Sequence, residues 1–421
     1  MDLAAIENRL KNVKRASRKL ANLSLELRNA VLSSLCDNLV TSESKILAAN
    51  QEDCERIMSA AHNPAFLDRL RLNSKRLQQM RQSLMDVVDW PDPIGEIVEK
   101  KFLENGLEVQ KQRSPLGVIL MIFESRPNVI TEAFSLAFKS GNGVILRGGS
   151  ESRSTAAVLY GLIQTALHAH GVTDDSVWGI SDPDRALVQT LMTQNQYIDV
   201  LVPRGGEGLI RHVIENATIP IIKNDRGLCH IYVHEDADFE MALNIVENAK
   251  AQRPGVCNSM ETLIVNAKIS EKFLPLAYGR LAPHGVQWHV CHRSFAILKS
   301  QPLVQAALDS SWDTEYLDLQ INCRVVTTQD EAQEHIFRHG SSHSEAIVTS
   351  STEAAKKFQS EVDAAAVYWN ASTRFTDGFE LGLGGELGIS TQKLHVRGPV
   401  GLRELTSIRW VISGTGQIRT L

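Results

Sequence analysis

One cysteine in this chain is placed as a nucleophile would be. Cys257 closes a polar turn, Arg253-Pro254-Gly255-Val256, and an apolar, β-branched run from Thr262 to Val265 follows almost at once. A turn of that composition fixes the backbone, and the run behind it reads as a buried strand. A thiol held this way can face a cleft beside backbone N–H groups that stabilise a thiolate or an oxyanion. The same pattern also suits a small buried hydrophobe, the usual state of a free cysteine.

Two further stretches have the composition of anion sites. Val144-Ile145-Leu146 runs into Arg147-Gly148-Gly149-Ser150 and then into a helical pattern. Asp199 to Val202 runs into Pro203-Arg204-Gly205-Gly206, and a helical pattern from Leu209 to Asn216 follows. Glycines at a helix N-terminus let backbone N–H groups approach a phosphate, and the helix dipole favours the anion. Neither turn is a GxGxxG fingerprint. The lookalike Gly382-Leu383-Gly384-Gly385-Glu386-Leu387-Gly388 follows no clear strand and is rejected as a dinucleotide site. Arg147 ends its strand on the carboxyl side, where open α/β sheets bind ligands, although a surface arginine would look the same. His289, Cys291 and His292 cluster without carboxylates at ligand spacing, so no metal site is expected.

The elements that must position these residues fall into three textures. Residues 1–90 repeat apolar side chains at helical spacing, as in Leu20, Leu23, Leu27, Val31, Leu35 and Leu39. After Trp90-Pro91-Asp92-Pro93, two alternating runs flank Asn105-Gly106, a hairpin signal. From Pro115 strands alternate with helices: Val118–Phe123, Val144–Leu146, Asp199–Val202, Ile219–Ile222 and Ile231–Val233 are the strands. That order implies a parallel sheet covered on both faces. Past the Cys257 turn a second α/β unit is expected, with strands at Leu263–Val265, Phe295–Leu298, Val325–Val326 and Ala346–Val348. Its helices are expected at 270–281, 302–310, 330–338 and 352–362. A last alternating run, Ser407 to Ile412, reads as a strand.

Composition sets the outer limits. At 421 residues the chain exceeds the ~250–300 at which a single core stops growing, so at least two domains are expected. A net charge of −5 argues against general nucleic-acid binding. No run of ~18 apolar residues suggests a membrane span, and the first twenty residues lack the apolar core of a secretory signal. Six cysteines, at 36, 54, 229, 257, 291 and 323, form no CxxC pair, which fits a reducing, cytoplasmic setting.

Four blocks together resemble the aldehyde dehydrogenase superfamily, most closely its branch that reduces γ-glutamyl phosphate. They are Ser114 to Val129 with Gly141 to Ser150, Val202 to Gly206, Arg253 to Asn258 with Met260-Glu261-Thr262, and Gly388 to His395 with Arg397 to Leu402. The resemblance covers essentially the whole chain. It implies an aldehyde dehydrogenase-like α/β fold. A Rossmann-type cofactor domain would take residues 1–96 and 114–250 with part of 364–400, and a catalytic domain 251–363. An oligomerisation arm would be formed by 97–113 and 401–421. It implies Cys257 as nucleophile and Asn128 near the oxyanion-hole asparagine. Arg147, Gly148 and Gly149 would lie by the adenosine ribose, Gly205 and Gly206 by the pyrophosphate, and Glu315 by the nicotinamide ribose. Arg126, Arg253, His395 and Arg397 are candidates for the substrate's carboxylate and phosphate. The implied reaction is NADPH-dependent reduction of γ-glutamyl phosphate through a Cys257 thioester. The implied partners are a second copy of the chain and, functionally, the glutamate 5-kinase that makes the substrate. Another superfamily member, such as a coenzyme A-acylating aldehyde dehydrogenase, is the alternative. A non-catalytic descendant is disfavoured by the intact Cys257, Gly205 and Gly206.

One departure bears on mechanism. Hydrolytic members carry a glutamate that activates water where this chain has Asn224, in Asn224-Asp225-Arg226-Gly227. An amide is no general base at neutral pH. Its presence suits an enzyme whose thioester must survive to be reduced.

Overall fold

The computed structural model describes residues 2–58, 64–124, 126–181, 184–223 and 226–419, and of residues 64–66 and 185 the backbone alone. Asn224 therefore lies outside the described residues. The chain forms two compact units. The first comprises residues 1–224, 383–388 and 400–421, the second 225–382 and 389–399.

The first unit opens with helices α1 (Leu3–Leu20), α2 (Leu25–Thr41), α3 (Glu43–Met58), α4 (Pro64–Leu70) and α5 (Ser74–Asp89). Asp2, Ser24 and Asn73 cap three of them, each side chain accepting an N–H of the first turn. After β1 (Ile97–Phe102) and β2 (Glu108–Pro115) come β3 (Val118–Phe123), α6 (Asn128–Lys139), β4 (Gly143–Arg147), α7 (Arg153–Ala169) and β5 (Val177–Ile180). They are followed by α8 (Arg185–Leu191), β6 (Val200–Arg204) and α9 (Glu207–Asn216). Strands β5-β4-β3-β6 form a parallel sheet in that order. Every residue of β3 is buried, which explains its unbroken apolar run. Val118, Leu120 and Ile122 pack with Ile6, Leu10 and Val13 of α1 and with Val213 of α9, while α6 lies against the other face.

The second unit contains β7 (Cys229–Val233), α10 (Phe239–Ala251), β8 (Met260–Asn266), α11 (Ala267–Leu281), β9 (Gln287–Val290) and α12 (His292–Leu298). It continues with β10 (Val304–Ala306), β11 (Gln320–Val326), α13 (Gln329–His339), β12 (Ser344–Val348), α14 (Thr352–Glu361) and β13 (Ala366–Trp369). A two-stranded pair, β14 (Ile389–Ser390) with β15 (Gly398–Pro399), completes it. The seven-stranded parallel sheet runs β10-β9-β11-β8-β7-β12-β13. Along β7 the pleat divides the core. Ile231 and Val233 pack towards α10 and α11, and Tyr232 packs with Ile336 of α13 and Phe358 of α14.

Strand β7 and helix α10 pair and pack within the second sheet, and the compact units divide near residue 224. Three sequence expectations change here. Phe295–Leu298, expected as a strand, lies in helix α12, because four apolar residues are too few to fix a period. Residues 302–310, expected as a helix, give the edge strand β10 and the start of a 3₁₀ turn at Asp309–Asp313, since pairing with β9 overrides helix propensity. Ile219–Ile222 contributes a single bridge, Ile221 to Leu201, and no strand.

The hairpin exists and has a third strand. β1 pairs with β2 from Ile97↔Gln112 to Phe102↔Glu108, and β16 (Thr406–Ser413) pairs along the whole of β2. Gly106 takes φ +84° in the connecting loop, where a side chain would be strained. The outer strands expose Val98, Phe102, Trp410 and Ile412, the last two at 54% and 59%.

Candidate active site

Cys257 sits, half-buried, in the turn between α10 and β8, and that turn is held from behind by buried groups. The Cys229 thiol donates to the Cys257 carbonyl at 3.2 Å, and burial raises the Cys229 pKa well above the usual thiol range, which keeps it a donor. Asn258 is 3% exposed; its side-chain amide donates to Thr376 O at 2.8 Å, and its backbone carbonyl accepts the Thr373 hydroxyl at 2.7 Å. The Ser259 hydroxyl donates to Ala249 O at 3.1 Å. Gly227 lies flat on the turn: a Cβ there would fall 1.7 Å from Cys257 O, so no larger residue fits. The turn is thus a rigid mount, and rigidity is what a nucleophile attacking along a fixed line requires.

Glu315 belongs to this mount. Its Oε1 accepts the Gly227 N–H at 2.8 Å. Arg253 is exposed in the same turn. Arg374 is half-buried, its Nε on Gln252 Oε1 at 2.9 Å, and its pKa is lowered by burial and then by Arg253, with Cys257 among the charges it feels. His395 is exposed in the loop between β14 and β15, at φ +68°. Arg397 forms an ion pair with Asp363 at 2.7 Å, and Lys393 takes the other oxygen of that carboxylate at 2.5 Å.

The first unit carries the other half of the predicted set. Arg147 is the last residue of β4 and half-buried, and Gly148 packs so close to the Phe123 ring that a Cβ would lie 3.0 Å from it. Gly206 caps α9, and its N–H donates to the Glu124 carboxylate at 2.8 Å. A Cβ on Gly205 would meet Glu124 at 2.5 Å and Leu209 at 2.7 Å. A carboxylate on the first N–H of α9 marks this turn as an anion position. Asn128 opens α6 and donates to Glu132 Oε1 at 2.8 Å, with Arg204 on the other oxygen of Glu132 at 3.2 Å. Arg126 is half-buried just before that helix.

Comparison with known proteins settles the lineage. The profile of the aldehyde dehydrogenase family matches residues 1–283. The chain belongs to the aldehyde dehydrogenase family. A γ-glutamyl phosphate reductase from Carboxydothermus hydrogenoformans is 48% identical over 412 residues, 98% of this chain and 99% of that one. The crystal structure of a γ-glutamyl phosphate reductase from Thermotoga maritima matches with a TM-score of 0.95 at 42% identity, covering 98% of this chain and 99% of that one. An acetylating aldehyde dehydrogenase from Geobacillus thermoglucosidasius shares the fold, with a TM-score of 0.67 at 16% identity over 99% of this chain and 98% of that one.

Within this family member, sequence reading missed several residues of the mount: Gly227, Cys229, Lys250, Glu261 and Arg374. Only Glu261 left a visible signal, a charge inside an otherwise apolar run that enters a strand. It is 1% exposed, and burial raises its pKa to about 7 against the opposing Lys250 ammonium at 3.2 Å.

Proposed function

We propose that this chain reduces γ-glutamyl phosphate to glutamate 5-semialdehyde and phosphate with NADPH, through a thioester on Cys257. The observation that carries the reading is the Cys257 turn, half-open to solvent and locked from behind by Cys229, Gly227 and Asn258. It is supported by relatives of nearly equal length that bear the reductase's name. The coenzyme A-acylating alternative has only the shared fold behind it.

In the proposed sequence the Cys257 thiolate attacks the acyl carbon, and the tetrahedral oxyanion collapses with phosphate as leaving group. A bound nicotinamide supplies the hydride that reduces the thioester. The resulting thiohemiacetal breaks its C–S bond, releases the aldehyde and returns the thiolate. Covalent catalysis divides one difficult reduction into two easier steps, each with an oxyanion to stabilise. N–H groups of the Cys257 turn are assigned that task. Asn128 joins them only by giving up Glu132. The substrate's anionic groups are assigned to Arg126, Arg253 and His395, with Arg374 added. Arg397 takes part only in competition with Asp363.

The residues present fit a nicotinamide dinucleotide. The Gly205–Gly206 turn presents an N–H that already holds a carboxylate, the chemistry a pyrophosphate would use. Arg147 is assigned to the 2′-phosphate and Glu315 to the nicotinamide ribose. The test is the reverse reaction, phosphate- and NADP+-dependent oxidation of glutamate 5-semialdehyde. Arg147→Ala should raise KM for NADP+ about tenfold or more and leave KM for NAD+ nearly unchanged, as expected for a lost charge-assisted bond. No phosphate-dependent activity would refute the function. Equal changes for both cofactors would remove Arg147 from 2′-phosphate recognition.

The chain is also proposed to be a cytoplasmic homo-oligomer, at least a dimer, joined through the β1-β2-β16 sheet. Two outer strands that expose Phe102, Trp410 and Ile412 invite pairing or cover by a second copy. Sedimentation equilibrium at micromolar concentration should give a multiple of the 46.6 kDa chain mass. A clean monomer would refute this use of the arm. Because acyl phosphates hydrolyse readily, the supplying reaction is a carboxylate phosphorylation working close by, the role of a glutamate 5-kinase.

A further inference from the structure

Glu261 and Lys250 form an ion pair sealed in the interior of the second unit. Glu261 is the second residue of β8, and Lys250 lies in the last turn of α10; they are 1% and 0% exposed, with Nζ to Oε2 at 3.2 Å. Such a pair is a poor source of stability, because removing two charges from water offsets most of their attraction. What it provides is a fixed acceptor. Oε2 also takes the Tyr316 N–H at 3.4 Å, and Oε1 takes the Leu317 N–H at 3.3 Å. Two successive amides of one loop are thereby tied to a single carboxylate. Leu317 holds φ +51°, a conformation that a leucine keeps only where its surroundings impose it. On the far side the Tyr316 hydroxyl donates to Asn322 Oδ1 at 2.9 Å, and its ring stacks on His289 at 4.8 Å.

The loop so clamped is the one that carries Glu315. From its clamped neighbour, Glu315 reaches to the Gly227 N–H, and Gly227 rests on the Cys257 carbonyl. A continuous chain of contacts therefore runs from Lys250 through Glu261 and the 315–317 backbone to Glu315 and the nucleophile's turn.

We propose that the Lys250–Glu261 pair is a positioning element for the reaction: Glu261 sets the 315–317 loop so that Glu315 is presented beside the Cys257 turn to the ribose hydroxyls of the nicotinamide cofactor. The proposal rests on the assignment of Glu315 made above, and its test separates the two.

The test compares Glu261→Gln, Glu315→Gln and their combination in the full chain. Glu261→Gln strands the Lys250 ammonium, so Lys250→Met/Glu261→Gln, a neutral pair, is measured beside it. Glu261→Gln and the neutral pair should raise KM for NADPH about tenfold, with kcat and KM for the acyl substrate changed less than about twofold. Glu315→Gln should give a similar rise, and the combination no more than the larger single effect, as for residues acting through one contact. Amide hydrogen exchange supplies the readout independent of turnover. Tyr316, Leu317 and Gly227 should exchange faster in both Glu261 variants, whereas in Glu315→Gln only Gly227 should. An unchanged KM for NADPH in the folded Glu261 variants, with a raised one in Glu315→Gln, overturns the positioning role and leaves the Glu315 assignment standing. An unchanged KM in Glu315→Gln overturns both. A fall in kcat with KM unchanged would place the pair in service of the fold or of Cys257, and the proposal fails.

Discussion

Replacing Cys257 with serine is expected to lower turnover at least about a thousandfold, a barrier increase of about 4 kcal/mol, while the fold and cofactor binding stay intact. The loss is chemical: a serine hydroxyl at neutral pH is a far weaker nucleophile than a thiolate. The retention is structural. The bonds that anchor the turn reach the Cys257 carbonyl and the side chains of Asn258 and Ser259, none of which the substitution touches. Steady-state turnover with a fluorescence titration of NADPH checks both halves. A variant that keeps more than about a tenth of the rate, less than about 1.4 kcal/mol of barrier, would rule out the covalent path. Cys36 and Cys54, on α2 and α3 of the first unit, are the silent controls. Cys229 is no such control, because its thiol holds the carbonyl of the nucleophile itself.

That difference between Cys229 and Cys257 marks the limit of what the sequence made legible. Cys257 announced itself through local grammar, a polar Pro-Gly turn running into a β-branched strand, and Gly205-Gly206 through a strand that ends where a helix begins. Both signals are short-range: Cys257 lies in the turn before β8, and Gly206 caps α9. The Asn105-Gly106 hairpin was legible for the same reason. Cys229, by contrast, reads as one more residue of a buried strand, since its partner lies 28 positions away. Glu261 reads as a blemish in an apolar run until Tyr316 and Leu317, more than fifty residues on, are folded onto it. Arg397 shows a neighbour that sequence leaves unseen. A cation in a glycine-rich segment looks available for substrate, yet Asp363 already holds it. The strand at 304–306, where a helix was expected, has a similar origin, because the open edge of β9 decided what propensity could not.

The second unit should also carry a histidine that resists acid, and His335→Phe should expose it. His335 lies on α13, 3% exposed, and among the described residues neither ring nitrogen has a hydrogen-bond partner. The rings of His230, Trp312 and His339 stand 5.5, 5.2 and 4.7 Å away. Burial, reinforced by the neighbouring His230, Arg324 and His339, drives its pKa down to about 2. With the folded value below the unfolded one near 6.5, the unfolded chain takes up the proton first. Stability contributed by the neutral ring is therefore full above pH 6.5 and is lost as pH falls. Between pH 6.5 and 5 the loss amounts to about 2 kcal/mol. His343, 0% exposed and lowered by burial to about 4, adds a loss of the same sign. Glu261, raised to about 7, binds its proton in the folded state over this range and works the other way; burial raises Glu345 as well, a shift of the same sign. Wild-type stability alone would mix these contributions, so the quantity to measure is the difference between His335→Phe and wild type in urea unfolding at the two pH values. Phenylalanine keeps the ring packing against Trp312 and cannot titrate, so any fixed packing change cancels in the comparison. The variant should gain about 2 kcal/mol on wild type when pH drops from 6.5 to 5. A difference that stays constant across that range would mean that His335 takes its proton inside the folded unit, and the buried, neutral ring described here would be wrong.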